Sequence, residues 1–314
     1  GPGQQASLFP KTMTVACPKW KGSLPMTSAM STRVHIHIVT RKDDRLDSSS
    51  LVFRLSEIWK DEGHRVTQGP TERLEADIGI INIDQTKVPK EMIPANPSGR
   101  PILNSLILDI SKRRISSNIL DPDSSYQGEV IIKTDNNYFG LPENNTGKAR
   151  LPNGLIRSIV KRTLPWQYTR QLWYYKDYPV CKSIRDVPAW VWERDDLVVE
   201  PFIPEKAGDE YALRVWAFFG DQDHSVRMFG KNPIVKAGNR TRYEYLKEVP
   251  VELRAIRKRL GMDFGKFDYV IFNGEPVLLD VNKTPTIAGN GPPGENLLRL
   301  ASGINMYIGR SGRP

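Results

Sequence analysis

The chain has 314 residues and a formal net charge of +9, from 45 Lys and Arg against 36 Asp and Glu. Its length predicts two or three compact units, and a hydrophobic content of 39% is ample for their cores. The lack of any run of about 18 apolar residues argues against a membrane span. Two distant cysteines, Cys17 and Cys181, provide neither a disulfide framework nor a metal-ligand spacing.

The positive charge favours anionic partners such as nucleotide phosphates or an acidic substrate. Basic residues cluster at 112–114 and 254–259, but no aromatic-flanked basic motif of a nucleic-acid-binding module is present. Nucleic acid is therefore not the favoured partner. The lack of a disulfide framework leads us to expect a cytoplasmic protein, and the lack of an apolar run leads us to expect one that acts without a membrane.

Residues 1–30 are expected to form an extended arm, and their opening Gly-Pro-Gly is typical of the remnant of a cleaved tag. From residue 33 the pattern changes to strand, helix and strand. VHIHIV alternates as a strand does, LVFRLSEIWKDEG reads as a helix that Gly63 ends, and ADIGIINI reads as a further strand. This order predicts a small parallel α/β domain over residues 31–100.

The next unit is expected over residues 101–195. ILNSLILDISKRRISSNIL predicts an amphipathic helix that carries Lys112, and GEVIIKTDNNYFG predicts a strand that carries Lys133. A lysine within a buried strand needs a partner for its charge, so Lys133 is a candidate for a site. An aromatic run between 166 and 178 either stacks on a substrate ring or packs a small lid domain, and the second reading is favoured.

Residues 196–314 form the last expected unit. DDLVVEPFIP reads as a strand followed by an extended segment, and GDEYALRVWAFFGD and SVRMFGKNPIV as two further strands. VELRAIRKRL reads as an amphipathic helix that ends at Gly261.

The segment 263–285 predicts a hairpin whose two strands are joined by Asn273-Gly274. In such a hairpin Asp268 lies opposite or nearly opposite Asp280, and Asn282 lies two residues further along the same face. These oxygen donors suit Mg²⁺ that completes its shell with substrate phosphates, and Lys266 is a cation on the same face. From periodicity alone, an exposed hairpin with an acidic wet face is an equal alternative.

The order basic-x-Asp, hairpin, Asp-x-Asn-x-x-Pro resembles the closing signature of the ATP-grasp superfamily. The resemblance implies an ATP-grasp fold of the mixed α/β class. It has an N-terminal parallel pre-domain (31–100), a central lid subdomain (101–195) and a C-terminal antiparallel-sheet subdomain (196–314), with ATP between the last two. It also implies that Asp268, Asp280 and Asn282 hold two Mg²⁺ ions, for which Mn²⁺ can substitute.

The resemblance extends to the contacts of the nucleotide and covers roughly residues 100–290. It implies that Lys112 and Lys133 reach the phosphates, and that Glu200, Phe202 and Ile203 form the adenine hinge through the backbone of the last two. It further implies that Glu210 binds the ribose, that Lys231 faces the cleft, and that Lys266 and Arg214 hold a developing oxyanion. The chain departs from the superfamily pattern in the Asn-rich loop DNNYFG and in Thr286, where a glycine is usual.

The implied reaction joins a carboxylate to an amine through an acyl phosphate, and releases ADP and phosphate. The substrates would be an amino acid or peptide, one of them anionic, and a homodimer is common among similar ligases. Two alternatives remain open from the sequence: a kinase of the same fold that stops after phosphoryl transfer, and a non-catalytic nucleotide-binding protein.

Overall fold

A computed structural model of the chain describes residues 32–44, 46–137, 166–170, 178–287 and 291–308. Over these residues the fold is mixed α/β, with one parallel and two antiparallel sheets that belong to one compact unit, Arg33–Pro314. The predicted fold class is therefore confirmed, whereas the predicted boundaries near residues 100 and 195 stay predictions. In the described part of the chain, no helix is both long and apolar enough to cross a membrane.

The strands, in chain order, are β1 His35–Val39, β2 Arg65–Gly69, β3 Ile78–Ile81, β4 Ile102–Leu103, β5 Val130–Thr134, β6 Val180–Cys181, β7 Leu197–Pro201, β8 Glu205–Ala207, β9 Glu210–Phe219, β10 Gln222–Gly230, β11 Arg240–Leu246, β12 Phe264–Phe272 and β13 Glu275–Asn282. The α-helices are α1 Leu51–Asp61, α2 Lys112–Ile115, α3 Trp166–Thr169, α4 Ala189–Trp192, α5 Val251–Leu260, α6 Glu295–Ser302 and α7 Asn305–Ile308.

The parallel sheet has the order β2-β1-β3-β4 and follows the predicted strand–helix–strand pattern. Ile36 and Ile38 share a buried face of β1 and pack in one core with Leu55 and Trp59 of α1. The backbone N–H of Leu51, at the start of α1, donates to the Pro285 carbonyl at 2.9 Å. This bond ties the first helix to the segment that follows β13.

The predicted helix over residues 102–120 is wrong. Only Lys112–Ile115 is helical, and Leu106, expected on its apolar face, is 81% exposed. The chain turns at Asn104, whose φ is +60°, because its buried side chain is bound to a distant strand. Asn104 Oδ1 accepts from the N–H groups of Asp263 and Phe264, at 2.9 and 3.2 Å. A local pattern of apolar residues cannot reveal such a contact.

The small antiparallel sheet has the order β6-β5-β7 and carries Lys133 on its central strand. Its core contains Val130, Ile132 and Val199, against which Trp166 packs. This contact agrees with the structural reading of the aromatic run. The loop PENNTGKAR and the expected basic helix GLIRSIVKR lie outside the described residues.

The large sheet has the order β11-β10-β9-β12-β13, with β8 paired to β9. The predicted hairpin is confirmed: Asn273 and Gly274 have φ values of +51° and +87°, which suit a two-residue turn. One face of the sheet packs Trp216 and Phe267 in a core with Leu253 of α5. The other face is the one that carries the candidate site.

Candidate functional site

A cavity of about 370 Å³ lies between the small sheet and the large sheet. One end is apolar and is lined by residues of both sheets and of the segments that follow them, among them Ile131, Phe202, Ile203, Leu213 and Met228. The other end is charged and is lined by Lys112, Lys133, Lys236, Lys266, Asp268, Asp280 and Asn282. An elongated ligand with an apolar ring and an anionic tail fits this division.

The hairpin brings the predicted acidic group together. Asp268 pairs in register with Asp280, and Lys266 pairs with Asn282, with a bulge directly after Asp268. Lys266 Nζ lies 3.3 Å from Asp268 Oδ1, and Lys112 Nζ lies 3.2 Å from Asp280 Oδ1. Each of the two carboxylates therefore has its own lysine.

The lysines and carboxylates of the charged end shift the pKa values of one another. The Asp268 carboxylate raises the pKa of Lys266. Burial alone would lower the pKa of Lys112, but Asp280 reverses that effect and raises it. Burial opposes the ionisation of Asp280, yet the nearby Lys112 and Lys236 lower its pKa. Burial also lowers the pKa of Lys236, against the attraction of Asp268 and Asp280.

The donor set at this end suits a hard cation that arrives with phosphates. Asp268 Oδ1 is buried, and its ion pair with Lys266 Nζ at 3.3 Å is the contact that a metal ion would replace. Asn282 Oδ1 accepts from the Thr284 N–H at 2.8 Å and lies 3.5 Å from the Thr284 hydroxyl, which makes a shorter bond of 2.8 Å to Asp84 Oδ1. A metal ion on Asn282 Oδ1 would replace that weaker contact. The described residues contain no cluster of three or more His, Cys, Asp or Glu that could hold a metal alone. Two carboxylates and an amide therefore fit Mg²⁺ only if a ligand supplies further oxygens.

Lys133 is held in place by a buried ion pair. Its Nζ lies 2.7 Å from Glu200 Oε2, and both side chains are nearly inaccessible to solvent. Burial opposes the ionisation of Glu200, but Lys133 lowers its pKa. The Glu200 side chain therefore fixes Lys133, and Glu200 is not among the residues that line the cavity.

The sequence predicts that the backbone of Phe202 and Ile203 binds adenine, and the structure differs from this prediction at the backbone N–H of Phe202. Phe202 and Ile203 do line the apolar end of the cavity. The backbone N–H of Phe202, however, donates to the Glu129 carbonyl at 2.8 Å, so the assignment of that donor to adenine is contradicted.

Three predicted residues are not brought to the cavity: Glu210, Arg214 and Lys231. Glu210 accepts from Thr241 Oγ1 at 2.5 Å and from Arg242 Nε at 3.0 Å. Lys231 is exposed, outside the lining of the cavity.

Arg214 lies on the wrong face of β9 for its predicted role. It alternates with Leu213, which lines the cavity, and shares the face of the buried Trp216. Its Nε and an NH2 group bind Glu205 at 2.9 Å each, and Arg227 binds the same carboxylate at 2.7 Å.

Sequence reasoning missed Lys236, which lines the charged end together with Tyr178, the last residue of the aromatic run. Lys236 lies in the loop between β10 and β11, and its N–H donates to Asn239 Oδ1 at 2.7 Å. The loop composition signals a turn but not the direction of a side chain. Burial raises the pKa of Tyr178 to about 12, so its hydroxyl stays protonated beside Lys112 and Asp280.

No protein-family model and no curated relative match the sequence. Solved structures do. A RimK-domain ATP-grasp protein from Sphaerobacter thermophilus aligns at 12% identity and a TM-score of 0.46, over 87% of this chain and 99% of that one. D-alanine–D-alanine ligase from Bacillus anthracis aligns at 14% identity and a TM-score of 0.42, over 88% of this chain and 97% of that one. The third is a RiPP-associated ATP-grasp ligase from Chryseobacterium gregarium in complex with ADP and a leader and core peptide. It aligns at 10% identity and a TM-score of 0.42, over 89% of this chain and 98% of that one.

These structures are similar to this chain in fold, and each TM-score lies below 0.5. What can be said of the site of this chain therefore depends on its own geometry. The cavity of this chain lies between two antiparallel sheets and has lysines and paired carboxylates at one end.

Proposed function

We propose that the chain is an ATP-dependent ligase of the ATP-grasp type that joins a carboxylate to an amine through an acyl phosphate. The observation that carries the proposal is the registered pair Asp268 and Asp280, each beside a lysine, at the charged end of a cavity whose other end is apolar. An exposed hairpin with an acidic wet face would not enclose these carboxylates with cations.

The cavity accommodates a nucleotide in one direction. The adenine ring would lie at the apolar end, against Phe202, Leu213 and Met228. The phosphates would then extend to the lysines at the charged end, where Lys112 and Lys133 are both fixed by carboxylates. Because Glu200 already neutralises Lys133, we assign the larger share of phosphate binding to Lys112, Lys236 and Lys266.

The charged end of the cavity would hold Mg²⁺, or Mn²⁺ in its place, through Asp268, Asp280 and Asn282. When bound, the metal neutralises charge on the β- and γ-phosphates. Lys112 and Lys266 would move from the carboxylates to the phosphate oxygens. Their positive charge would stabilise the charge that builds up on the phosphoryl group as it is transferred.

The reaction proceeds in two balanced steps. A substrate carboxylate oxygen attacks the γ-phosphorus, the bond to the β-phosphate oxygen breaks, and ADP leaves. A neutral amine then attacks the acyl carbon, the bond between that carbon and the phosphate oxygen breaks, and the proton that the nitrogen loses goes to the leaving phosphate. Lys266 and Lys236 lie beside the carboxylate pair and would stabilise the oxyanion of the second step.

Product analysis with Mg-ATP and pooled amino acids, carboxylates and peptides tests this proposal. Phosphorus NMR should show ADP and free phosphate, and mass spectrometry a product one water lighter than its two parents. A product heavier by one phosphoryl group, without free phosphate, would make the chain a kinase. AMP and pyrophosphate would refute both readings.

A pair of variants links the activity to the site. Asp280→Asn should abolish product formation and keep the fold, because it removes one carboxylate of the registered pair. Asp223→Asn is the matched control, since Asp223 pairs with Arg254 outside the cavity, at 2.8 Å. Full activity in Asp280→Asn would refute the assignment of the site.

A further inference from the structure

The loop between β10 and β11 forms one wall of the cavity. Six of its consecutive residues, 233–238, line the cavity, and Lys236 is one of them. Val235 anchors the loop to the large sheet, because its side chain is 3% exposed and packs in one core with Leu213 and Met228. Lys236 follows directly after this buried anchor, so the backbone of the loop sets where its side chain enters the cavity.

Asn239, the last residue of the loop, closes it with three hydrogen bonds. Its side-chain Oδ1 accepts from the Lys236 N–H at 2.7 Å, and its Nδ2 donates to the Ile234 carbonyl at 2.9 Å. Its own backbone N–H donates to the Lys236 carbonyl at 3.1 Å. These bonds hold three consecutive peptide groups, the two that flank Val235 and the one after Lys236. The Asn239 side chain is exposed and is not among the residues that line the cavity, so it acts on the loop and not on a ligand.

Lys236 differs from the other lysines that line the charged end. Three of them lie within 3.3 Å of a carboxylate oxygen: Lys112, Lys133 and Lys266. Among the described residues, Lys236 has no carboxylate at ion-pair distance, although Asp268 and Asp280 attract it from further away. Lys236 can therefore bind an anion without giving up a partner.

We propose that Asn239 is a positioning residue, which holds Lys236 in the cavity as a phosphate contact that does not depend on metal. The proposal rests on the proposed function and adds an order of binding to it. A nucleotide without metal must compete with carboxylates for Lys112 and Lys266, whereas Lys236 is available to it. The nucleotide is thus held by Lys236 first, and the metal ion then frees the other two lysines.

Two physical effects make the fixed loop favourable for this role. A loop that is already ordered loses less conformational entropy when the ligand binds. An ammonium group in a cavity partly shielded from water also gains more from an anion than an exposed ammonium group does. Both effects depend on Lys236 being held at the cavity, and the bonds of Asn239 supply that.

ADP binding in the presence of EDTA tests the role of the two residues. Calorimetry on the full chain measures the affinity of wild type, Asn239→Ala, Lys236→Met and the double variant. Each single substitution should weaken binding by about tenfold or more, because a charge-assisted hydrogen bond is lost. The double variant should be no weaker than Lys236→Met, since both substitutions remove the same contact. If the two losses add, Asn239 acts independently of Lys236 and the proposal is wrong.

Lys236→Met also keeps the proposal testable if Asn239→Ala does not fold, which thermal melts of each variant would show. It leaves all three bonds of Asn239 in place, because they involve only the backbone of Lys236. Equal ADP affinity of Lys236→Met and wild type in EDTA would overturn the proposal.

Asn96→Ala is the matched control. Asn96 closes another loop in a similar way: its Oδ1 accepts from the Arg100 N–H at 3.0 Å, and its Nδ2 donates to the Arg100 carbonyl at 2.7 Å. Neither residue lines the cavity, so Asn96→Ala should bind ADP as wild type does. A similar loss of ADP affinity in Asn96→Ala would show that the effect does not come from the position of Lys236, and would count against the proposal.

The same titration in excess Mg²⁺ lets the two ideas fail independently. If wild type binds ADP with Mg²⁺ but not in EDTA, the metal-independent contact is refuted and the proposed function stands. If ADP binds under neither condition, the proposed function itself fails.

Discussion

Lys112 Nζ lies 3.2 Å from Asp280 Oδ1, so a lysine expected to bind phosphate is bound to a carboxylate expected to bind metal. Lys266 and Asp268 repeat the arrangement at 3.3 Å. Phosphate can bind these lysines only if it displaces the carboxylates, and a metal ion can bind the carboxylates only if it displaces the lysines. Phosphates can take the lysines only as the metal takes the carboxylates, which makes joint binding of metal and nucleotide more favourable than binding of either alone.

Removing Lys112 should therefore strengthen metal binding in the absence of nucleotide. We expect Lys112→Met to bind Mn²⁺ roughly tenfold more tightly than wild type, because one competing positive charge next to Asp280 is lost. Mn²⁺ titration followed by electron paramagnetic resonance measures this directly. Lys60→Met, which removes an exposed lysine paired with Glu57, is the control and should have no effect. Equal Mn²⁺ affinities in wild type and Lys112→Met would show that the pair does not compete with metal.

The buried pair of Lys133 and Glu200 should be important for stability. Glu200→Gln leaves the Lys133 charge buried without its counter-ion, and should lower the free energy of unfolding by about 3 kcal/mol. Urea denaturation measures the loss. The double variant Lys133→Met/Glu200→Leu removes both charges and should recover most of it. A double variant as unstable as Glu200→Gln would mean that shape rather than charge sets the cost.

The same pair predicts a pH dependence. Burial opposes the ionisation of Glu200, but Lys133 holds the pKa of its carboxyl below the ordinary value of 4.5. A group with a lowered pKa in the folded state adds stability above its ordinary pKa, and this is lost as the pH falls through the folded value. The difference in unfolding free energy between wild type and Glu200→Gln should thus be constant near neutral pH and shrink below pH 4.5. Urea melts across this range measure it, and a difference that grows with acid would contradict the assignment.

What the sequence predicts well in this chain is local. The turn Asn273-Gly274 sets the hairpin, whose register alone would pair Asp268 with Leu279. The bulge directly after Asp268, which the sequence does not reveal, shifts the pairing to Asp280 and brings both carboxylates to one face. The strand with Lys133 is also correctly predicted, as is the need of that lysine for a partner, although Glu200 as the partner lies 67 residues away. Distant contacts of this kind leave no local pattern.

The predictions that were wrong also depend on contacts between distant parts of the chain. The period of two in β9 places Arg214 and Glu210 on a common face, but it does not say which face of the sheet forms the cavity. Lys236 lies in an irregular loop, where no period applies. Asn104 ends the expected helix through bonds to residues 159 and 160 positions further on.

Asn104 should be one of the most sensitive positions outside the cavity. Its side chain makes three bonds, two as acceptor and one as a donor to the Phe264 carbonyl at 2.9 Å, and its φ of +60° is unfavourable for most residues. Asn104→Ala should cost about 3 kcal/mol or more, through unsatisfied buried groups and backbone strain. Asn104→Gly tolerates the φ and should cost less, so denaturation of both variants separates the two causes. Equal losses would assign the whole effect to the hydrogen bonds.

The two cations named for the oxyanion should behave in opposite ways, because only Lys266 lines the cavity. Lys266→Met should reduce ATP turnover strongly with little change in thermal stability, since its charge acts on the ligand. Arg214→Met should lower stability, because Glu205 then keeps only Arg227 as a cationic partner among the described residues, and should leave ADP affinity and turnover per folded molecule unchanged. Calorimetric ADP titration, ATP consumption and thermal melts of the two variants make the comparison. Loss of turnover at full stability in Arg214→Met would restore the role expected from the sequence, and would require the face of β9 that carries Arg214 to contact substrate.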